Sequence, residues 1–395
     1  MKNLLKKIRV IDLTRYVAGP HSTMMLAELG ADVIKIEKID GGDELRNIGP
    51  KINNISLWSA VLNRSKRSLS LDIRKTEGRE IFLKLISEAD VLIENFKPGV
   101  MEKLKLDWNT LSKINKQLIF ARISGYGRNL PDTDRQAFDA VVQAETGYMA
   151  MTGMQTAAPS MAGTVILDYA TGLNITIGIL AALLSREKSG KGRVIETSLA
   201  ESALSMTMGG IPDYYLNGND LDRIGNRDRF TAPANTFKAK DGYIHIMAGT
   251  NDRFEKLLKI IGKEDLINNP KFSDIQSRLE NIDELESIIL DWTENDYISN
   301  IGGLLTKSGI PWGVVRSLGE FLDSPLGSNR TKKIDMNNGE KIYTAKFPIT
   351  DHEEDRVSDS KMASLGQHNE EILKNELGYS KDKIKLLRNN KIIGT

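Results

Sequence analysis

The sequence predicts an α/β protein: a parallel sheet with helices on both faces, and a second, smaller unit of mixed strands and helices. Three observations carry this. The first third of the 395 residues alternates short apolar strands with amphipathic helices, and parallel strands require such crossovers. The length exceeds what one hydrophobic core usually organises, so two domains are expected. A polar stretch rich in Gly, Asp, Asn and Arg, Asn217–Asn235, divides the chain as a linker would.

The elements follow in order. Ile8–Leu13 reads as the first strand. Gly19-Pro20 breaks it, and Ser22–Leu29 places Met25, Leu26 and Leu29 at helical spacing before Gly30 stops the helix. Val33–Glu37 is the second strand and Ser68–Ile73 a short third. Thr76 predicts an N-cap, with Arg79 rather than Glu at the capping-box position, for a helix that buries Ile81, Phe82, Leu85 and Ile86. Val91–Glu94 and Leu118–Ser124 follow as strands. The middle is more helical, over Phe138–Met151, Tyr169–Lys188 and Leu199–Tyr215. Ser189-Gly190-Lys191-Gly192 forms a turn there, and Val194–Thr197 a strand. Past the linker, Phe237–Lys238 and Tyr243–Met247 pair across Asp241-Gly242, and helices run on to Lys307. Gly327–Asp355 reads as a second irregular crossover, and the tail is helix-rich.

Composition removes several function classes. Lys+Arg is 54 against Asp+Glu 53, so charge gives no handle for nucleic acid or an anionic membrane. Hydrophobic residues at 40% provide a core. With no cysteine, disulfides, thiolate metal sites and Cys nucleophiles are all excluded, which suits a reducing, cytoplasmic compartment. The basic start, Met1–Lys7, is followed by a stretch that Arg9 and Asp12 interrupt, unlike a signal peptide. The longest apolar run, Leu173–Leu184, holds Asn174 and Thr176. It falls short of the roughly 20 residues of a membrane helix and predicts a buried core helix.

Most familiar motifs fail. The first strand turns through Val17-Ala18-Gly19-Pro20, not G-x-G-x-x-G, and Pro20 lacks an N–H that a pyrophosphate would want. Gly125-Tyr126-Gly127 has Leu130 at the third glycine position, and Gly190-Lys191-Gly192 lacks the rest of a P-loop. His21, His245, His352 and His368 have no metal-ligand spacing, although His21 sits at the mouth of the first strand. No G-x-S-x-G occurs. What remains is a set of strand-end residues: Val17-Ala18-Gly19, Lys38, Asp43, Arg46, Asn95-Phe96, Gly125-Tyr126 and Asp168. Cations, glycines and aromatics in that position suit a large ligand with phosphates at one end and a reactive group at the other. On the residues alone, Asp168 is equally a helix N-cap, Lys103 a solvated helix face and Asp139 a surface carboxylate.

These segments resemble the family III CoA-transferases, the group that includes formyl-CoA transferase and carnitine CoA-transferase. The similarity spans Val10–Glu37, Gly41–Arg46, Asn63–Arg74, Ala89–Leu104, Ser124–Gly127, Phe138–Gly153, the DYATG at Asp168, Gly225–Pro233 and Leu365–Leu373. The resemblance implies a Rossmann-like large domain with a parallel sheet from both chain ends (residues 1–216 and 356–395) and a smaller central α+β domain (236–326). The segments 217–235 and 327–355 would be linkers that let two ring-shaped subunits interlock as a homodimer.

The same resemblance makes Asp168 the nucleophile, forming a mixed anhydride and then an aspartyl–CoA thioester. No metal and no permanently bound cofactor is implied; acyl-CoA and a free carboxylic acid are the substrates. Val17 and Ala18 would line the CoA thiol region, with Val17 where the family often has Gln. Lys38, in place of a frequent Arg, would meet phosphate as a point charge. Arg74, Asn95, Phe96 and Lys103 match further CoA contacts, and Asp139 an acidic residue near the reacting centre. Gly249, in Ala248-Gly249-Thr250, is a candidate for a loop that stabilises the oxyanions.

Three other readings remain open. An α-methylacyl-CoA racemase needs acid/base groups on both faces of the α-carbon, and Phe138 stands where racemases have His. An intramolecular CoA-transfer isomerase shares the chemistry. A non-catalytic acyl-CoA-binding protein would not need Asp168. Arg15, Arg135, Tyr148 and Arg229 could pair a second carboxylate, which points to a dicarboxylate such as succinate.

Overall fold

The computed structural model describes residues 4–128, 135–207, 209–336, 339–350, 352 and 360–394. The chain divides into two compact units, one of Met1–Thr146, Ala162–Asn217 and Asn329–Thr395, the other of Gly147–Met161 and Gly218–Ser328.

In the first unit six strands form one sheet: β1 (Arg9–Asp12), β2 (Asp32–Glu37), β3 (Arg67–Ser70), β4 (Val91–Glu94), β5 (Ile119–Ser124) and β6 (Arg193–Ser198). Every pairing is parallel, in the order β3-β2-β1-β4-β5-β6. Strand order reverses between β1 and β4, which opens a crevice at the carboxyl ends of the strands, where such sheets bind ligands. The central strands β1, β2 and β4 are almost wholly buried, so they read as apolar runs such as Val91-Leu92-Ile93.

The helices named below are α1 (Ala18–Glu28), α2 (Thr76–Ser87), α3 (Asp139–Glu145), α4 (Ile166–Ser189), α5 (Leu199–Met206) and α6 (Gly210–Asn217). On one face of the sheet, Ile81, Phe82, Leu85 and Ile86 of α2 join Ile11, Ile34, Leu92 and Phe120 in a core that the chain's end also enters, through Ile384, Leu387, Ile392 and Ile393. A bridge from Leu71 to Ile393 ties that end to the sheet's edge.

The second unit has a three-stranded antiparallel sheet: β7 (Ala234–Ala239), β8 (Gly242–Met247) and β9 (Trp312–Val314). Phe237, Ile244 and Ile246 pack there on Phe254, Leu257, Leu285, Ile289, Ile301 and Leu305 from helices that end at Lys307.

Several expectations are corrected. Gly19-Pro20 does not break the chain before α1 but lies in its first turn, where the leading N–H groups have no intrahelical partner and proline costs nothing. Thr76 is the first residue of α2, and Lys75 stands at the N-cap position with no side-chain cap. The helix expected over Phe138–Met151 ends at Glu145, and Gly147–Met161 packs with the second unit. The predicted helix Leu199–Tyr215 is two helices, α5 and α6, and its residue 208 lies outside the described residues.

The crossover expected as irregular contains an antiparallel pair, β10 (Thr331–Asp335) and β11 (Lys341–Ala345), with β12 (Ser360–Lys361) alongside β10. Residues 337, 338, 351 and 353–359 of that region lie outside the described residues. The apolar run Leu173–Leu184 sits inside the longer α4, which by length and composition alone could cross a membrane. Here Thr171, Ile175, Ile179 and Leu183 of α4 are buried, and the helix packs on α1, α5, β5 and β6.

Candidate active site

Asp168 is the third residue of α4, whose N-cap position is Val165. It is therefore inside the first turn, not the cap that its neighbours suggested. The helix leads back into β6, so its N-terminus lies at the carboxyl edge of the sheet. α1 starts at Ala18 after Val17 at the same edge. The two helices touch closely at Gly172, where a Cβ would lie 2.7 Å from His21 Nδ1 and 2.8 Å from the Ala18 carbonyl oxygen. Only glycine permits that approach. The contact brings the Ala18 backbone beside the Asp168 carboxylate, where it favours the ionised form.

Asp139 opens α3 and is buried. Its carboxylate accepts the N–H groups of Leu167 (2.7 Å) and Asp168 (3.1 Å) and an amide N–H of Gln143. Gln143 in turn accepts the Ala162 N–H at 2.9 Å. The N-terminal amides of α4 are thus spent on Asp139, not on Asp168. Burial, then the negative charge of Asp139, push Asp168 up to about 7 against the nearby Ala18 backbone, which opposes them. A helix N-terminus favours an ionised carboxylate; here burial and Asp139 outweigh it.

Beside this pair, His21 packs edge-on against Tyr169 with ring centroids 4.9 Å apart. Burial, then the charges of Arg64 and Lys66, push His21 down to about 4, so it is neutral at physiological pH. Tyr16 meets Phe138 edge-on at 5.6 Å, and Phe138 offers no proton-transferring group.

The remaining strand-end residues gather on the loops after β1, β2 and β4. Asn95 receives the Arg15 N–H at 2.8 Å and donates to the Arg15 carbonyl at 2.7 Å. The Arg15 guanidinium lies 5.1 Å from the Phe96 ring centre. Arg15 and Lys38 both reach Glu44 Oε1, at 3.2 and 2.9 Å, so a bound phosphate would compete with an internal carboxylate for both cations. Arg46 is committed elsewhere, to buried Glu37 and the Ala363 carbonyl.

The other predicted residues have different partners. Arg74 is exposed beyond the edge strand β3 and pairs with Asp72 at 2.8 Å. Lys103 is exposed at the end of the helix Val100–Lys103. Gly249 belongs to the second unit, where its carbonyl accepts from Arg278 at 3.2 Å and a Cβ would strike Thr231 at 2.4 Å. Arg135 pairs with Glu145, Arg229 donates to the Asp222 carbonyl, and Tyr148 is half-buried in the second unit.

Sequence reasoning missed a buried charged network. Asp12, Lys35, Asp43 and Lys66 are all enclosed. Burial would raise Asp12, but Lys35, Lys66 and two threonine hydroxyls hold it well below the carboxylate range. Burial pushes Lys66 down to about 8. A signal was available: Asp12 and Lys35 interrupt strands otherwise apolar on both faces, where a charge needs a partner.

The sequence pattern of CoA-transferase family III matches residues 5–369. The succinyl-CoA–D-citramalate CoA-transferase of Chloroflexus aurantiacus is 32% identical over 394 residues, 98% of each chain. The succinyl-CoA:glutarate CoA-transferase of Mus musculus is 33% identical, covering 97% of this chain and 88% of that one. The acetyl-CoA:oxalate CoA-transferase of Acetobacter aceti is 35% identical, over 82% of this chain and 84% of its own. Among solved structures, a CaiB/BaiF family protein from Brucella suis superposes with a TM-score of 0.82 at 32% identity, covering 93% of this chain and 98% of its own. With the match running from before β1 to the start of the C-terminal helices and the fold shared over nearly its whole length, the chain belongs to CoA-transferase family III and is an enzyme of the CoA-transferase class.

Proposed function

We propose that the enzyme exchanges CoA between succinyl-CoA or a similar thioester and a second dicarboxylic acid, through covalent intermediates on Asp168. One observation carries the mechanism: a half-buried carboxylate at the sheet's carboxyl edge, beside the Ala18 backbone, pushed up to about 7. Burial and the neighbouring Asp139 make its negative charge costly, and attack on a carbonyl discharges it. The Asp168 oxygen adds to the thioester carbonyl, and the C–S bond breaks to give a mixed anhydride and CoA thiolate. The thiolate then adds to the aspartyl carbonyl and the donor acid leaves as carboxylate, giving the aspartyl–CoA thioester. The acceptor carboxylate repeats both steps in reverse, and Asp168 is regenerated ionised with no net proton change. An N–H at Ala18 suits the oxygen that gains charge at each addition. Water must be excluded, since both intermediates hydrolyse.

The acid class rests on relatives. Those from Chloroflexus aurantiacus and Mus musculus are succinyl-CoA transferases to citramalate and glutarate, and Arg15 is a half-buried cation at the same edge. A homodimer belongs to the same reading: Leu173, Ile177 and Leu184 on α4 and Tyr214, Tyr215 and Leu216 on α6 are exposed apolar side chains that a second copy would cover. The test is to incubate the enzyme with a panel of acyl-CoA donors, quench with hydroxylamine and locate the adduct by mass spectrometry. A hydroxamate at Asp168 is expected. Turnover without any adduct there sinks the mechanism, and turnover confined to monocarboxylates sinks the acid class.

A further inference from the structure

We propose that Lys66 is a positioning residue for acyl transfer: its ammonium locks the first turn of α1 to β1, so that the Ala18 backbone meets the Asp168 oxygen. The inference rests on the Asp168 reading above.

Lys66 has three N–H donors and uses all of them. Its Nζ lies 3.1 Å from Asp12 Oδ2, 3.1 Å from the Pro20 carbonyl oxygen and 2.9 Å from Asn63 Oδ1. Pro20 is in the first turn of α1, two residues past Ala18. Lys66 therefore joins a helix turn to the end of a strand through one enclosed charge; its side chain is 1% exposed.

The rest of the network grips the same loop from other directions. Asp12 accepts the Thr14 N–H at 2.8 Å, the Thr14 hydroxyl at 2.6 Å and the Thr23 hydroxyl at 2.6 Å. Lys35 donates to the Thr14 carbonyl at 2.7 Å and pairs with Asp43 at 3.0 Å. Asp43 accepts the Tyr16 N–H at 3.2 Å, and Asn95 holds the Arg15 N–H. Three successive amides, of Thr14, Arg15 and Tyr16, thus end on side chains from the end of β1 and from the loops after β4 and β2. Tyr16 sits at φ 62, a left-handed conformation that a bulky residue keeps only when its surroundings impose it.

Stability alone is a poor reason for this arrangement. Burying ammonium and carboxylate groups is costly, and well-packed apolar residues serve folding as well or better. A saturated ionic network fixes direction instead, and direction matters where one N–H must meet a developing oxyanion.

The test compares wild type with Lys66→Met and with the charge-balanced double variant Asp12→Asn/Lys66→Met, which avoids a stranded buried charge if the single variant does not fold. Each is given succinyl-CoA, or whichever donor of the panel above supports turnover. Active sites are counted from the Asp168 hydroxamate, and kcat per counted site, KM and Tm are measured. The expected result is a kcat per site lower by about 10²-fold, with KM for the thioester moved less than about 3-fold, including in a double variant of near-native Tm. Wild-type kcat per site in either variant overturns the inference, as does a change confined to KM. If wild type turns over with no adduct at Asp168, the Asp168 reading falls and takes this inference with it. A normal wild-type adduct with unimpaired variants sinks the inference alone.

Discussion

At the scale of single residues the proposed chemistry turns on Asp168 as nucleophile and on its neighbour Asp139. Asp168→Asn removes the nucleophile but keeps its volume, so turnover should fall by on the order of 10⁴ or more while CoA binding, read by calorimetry, persists. Nucleophilic attack needs the ionised form, so kcat/KM should rise with pH along a limb centred near 7, the value set by burial and Asp139. Asp139→Asn takes away the like charge. The limb should then move to lower pH, which a pH–rate profile checks directly. Stability runs the other way. The folded pKa of Asp168 lies above its ordinary 3.8, so the folded state binds the proton more tightly than the unfolded chain. Ionising Asp168 therefore costs stability, progressively from pH 3.8 to about 7 and constantly above. At pH 8 Asp168→Asn should melt higher than wild type, by roughly 2–4 °C for each kcal/mol relieved, and the gap should close as pH falls toward 4.

Among elements, the pairing of α1 with α4 determines whether the site exists. Asp168 and Ala18 are 150 residues apart in sequence, and meet because Gly172 lets the helices approach until a Cβ would overlap His21 and the Ala18 carbonyl. Gly172→Ala should cost about 1–3 kcal/mol in thermal or chemical denaturation, as overpacking does. It should also lower kcat, because whatever moves α1 moves the Ala18 backbone. The length of α4 was understated by its apolar run: the uninterrupted stretch is shorter than the helix Ile166–Ser189. The first turn, which the run omits, carries Asp168. Gly190, at φ 64, ends the helix where the sequence places a turn.

For the molecule as a whole, the chain's last residues return to the edge of the sheet begun by its first, through Ile392 and Ile393. Truncating the chain before Lys381 should remove Ile384, Leu387, Ile392 and Ile393 from that core and abolish cooperative unfolding of the first unit, as followed by calorimetry. The exposed apolar side chains of α4 and α6 belong to this scale too. Light scattering should give the mass of two chains, and Ile177→Lys, at a side chain 64% exposed, should shift the mass toward one. A single-chain mass for the wild type would remove the dimer from the reading.

What the sequence determined by itself is the class of fold and the neighbourhood of the site. Alternating apolar runs and amphipathic helices are local patterns, and a parallel sheet puts its loops at predictable edges, so Val17-Ala18, Lys38, Asn95-Phe96 and Asp168 were legible as strand-end residues. The ordered family segments pointed to Asp168 as a nucleophile when its immediate neighbours suggested only a cap. Tertiary structure alone decided how these residues act. The pKa of Asp168 depends on Asp139, 29 residues earlier, and on burial that no local pattern encodes. Asp12 and Lys66, 54 residues apart, look like surface charges until strand order encloses them together. Gly147–Met151 continues a helical pattern in the sequence, yet belongs to the segment Gly147–Met161 that packs with the second unit, because long-range burial overrides local periodicity. Local propensity selects elements, while electrostatics and packing act through space, and distance in space is what a linear sequence does not contain.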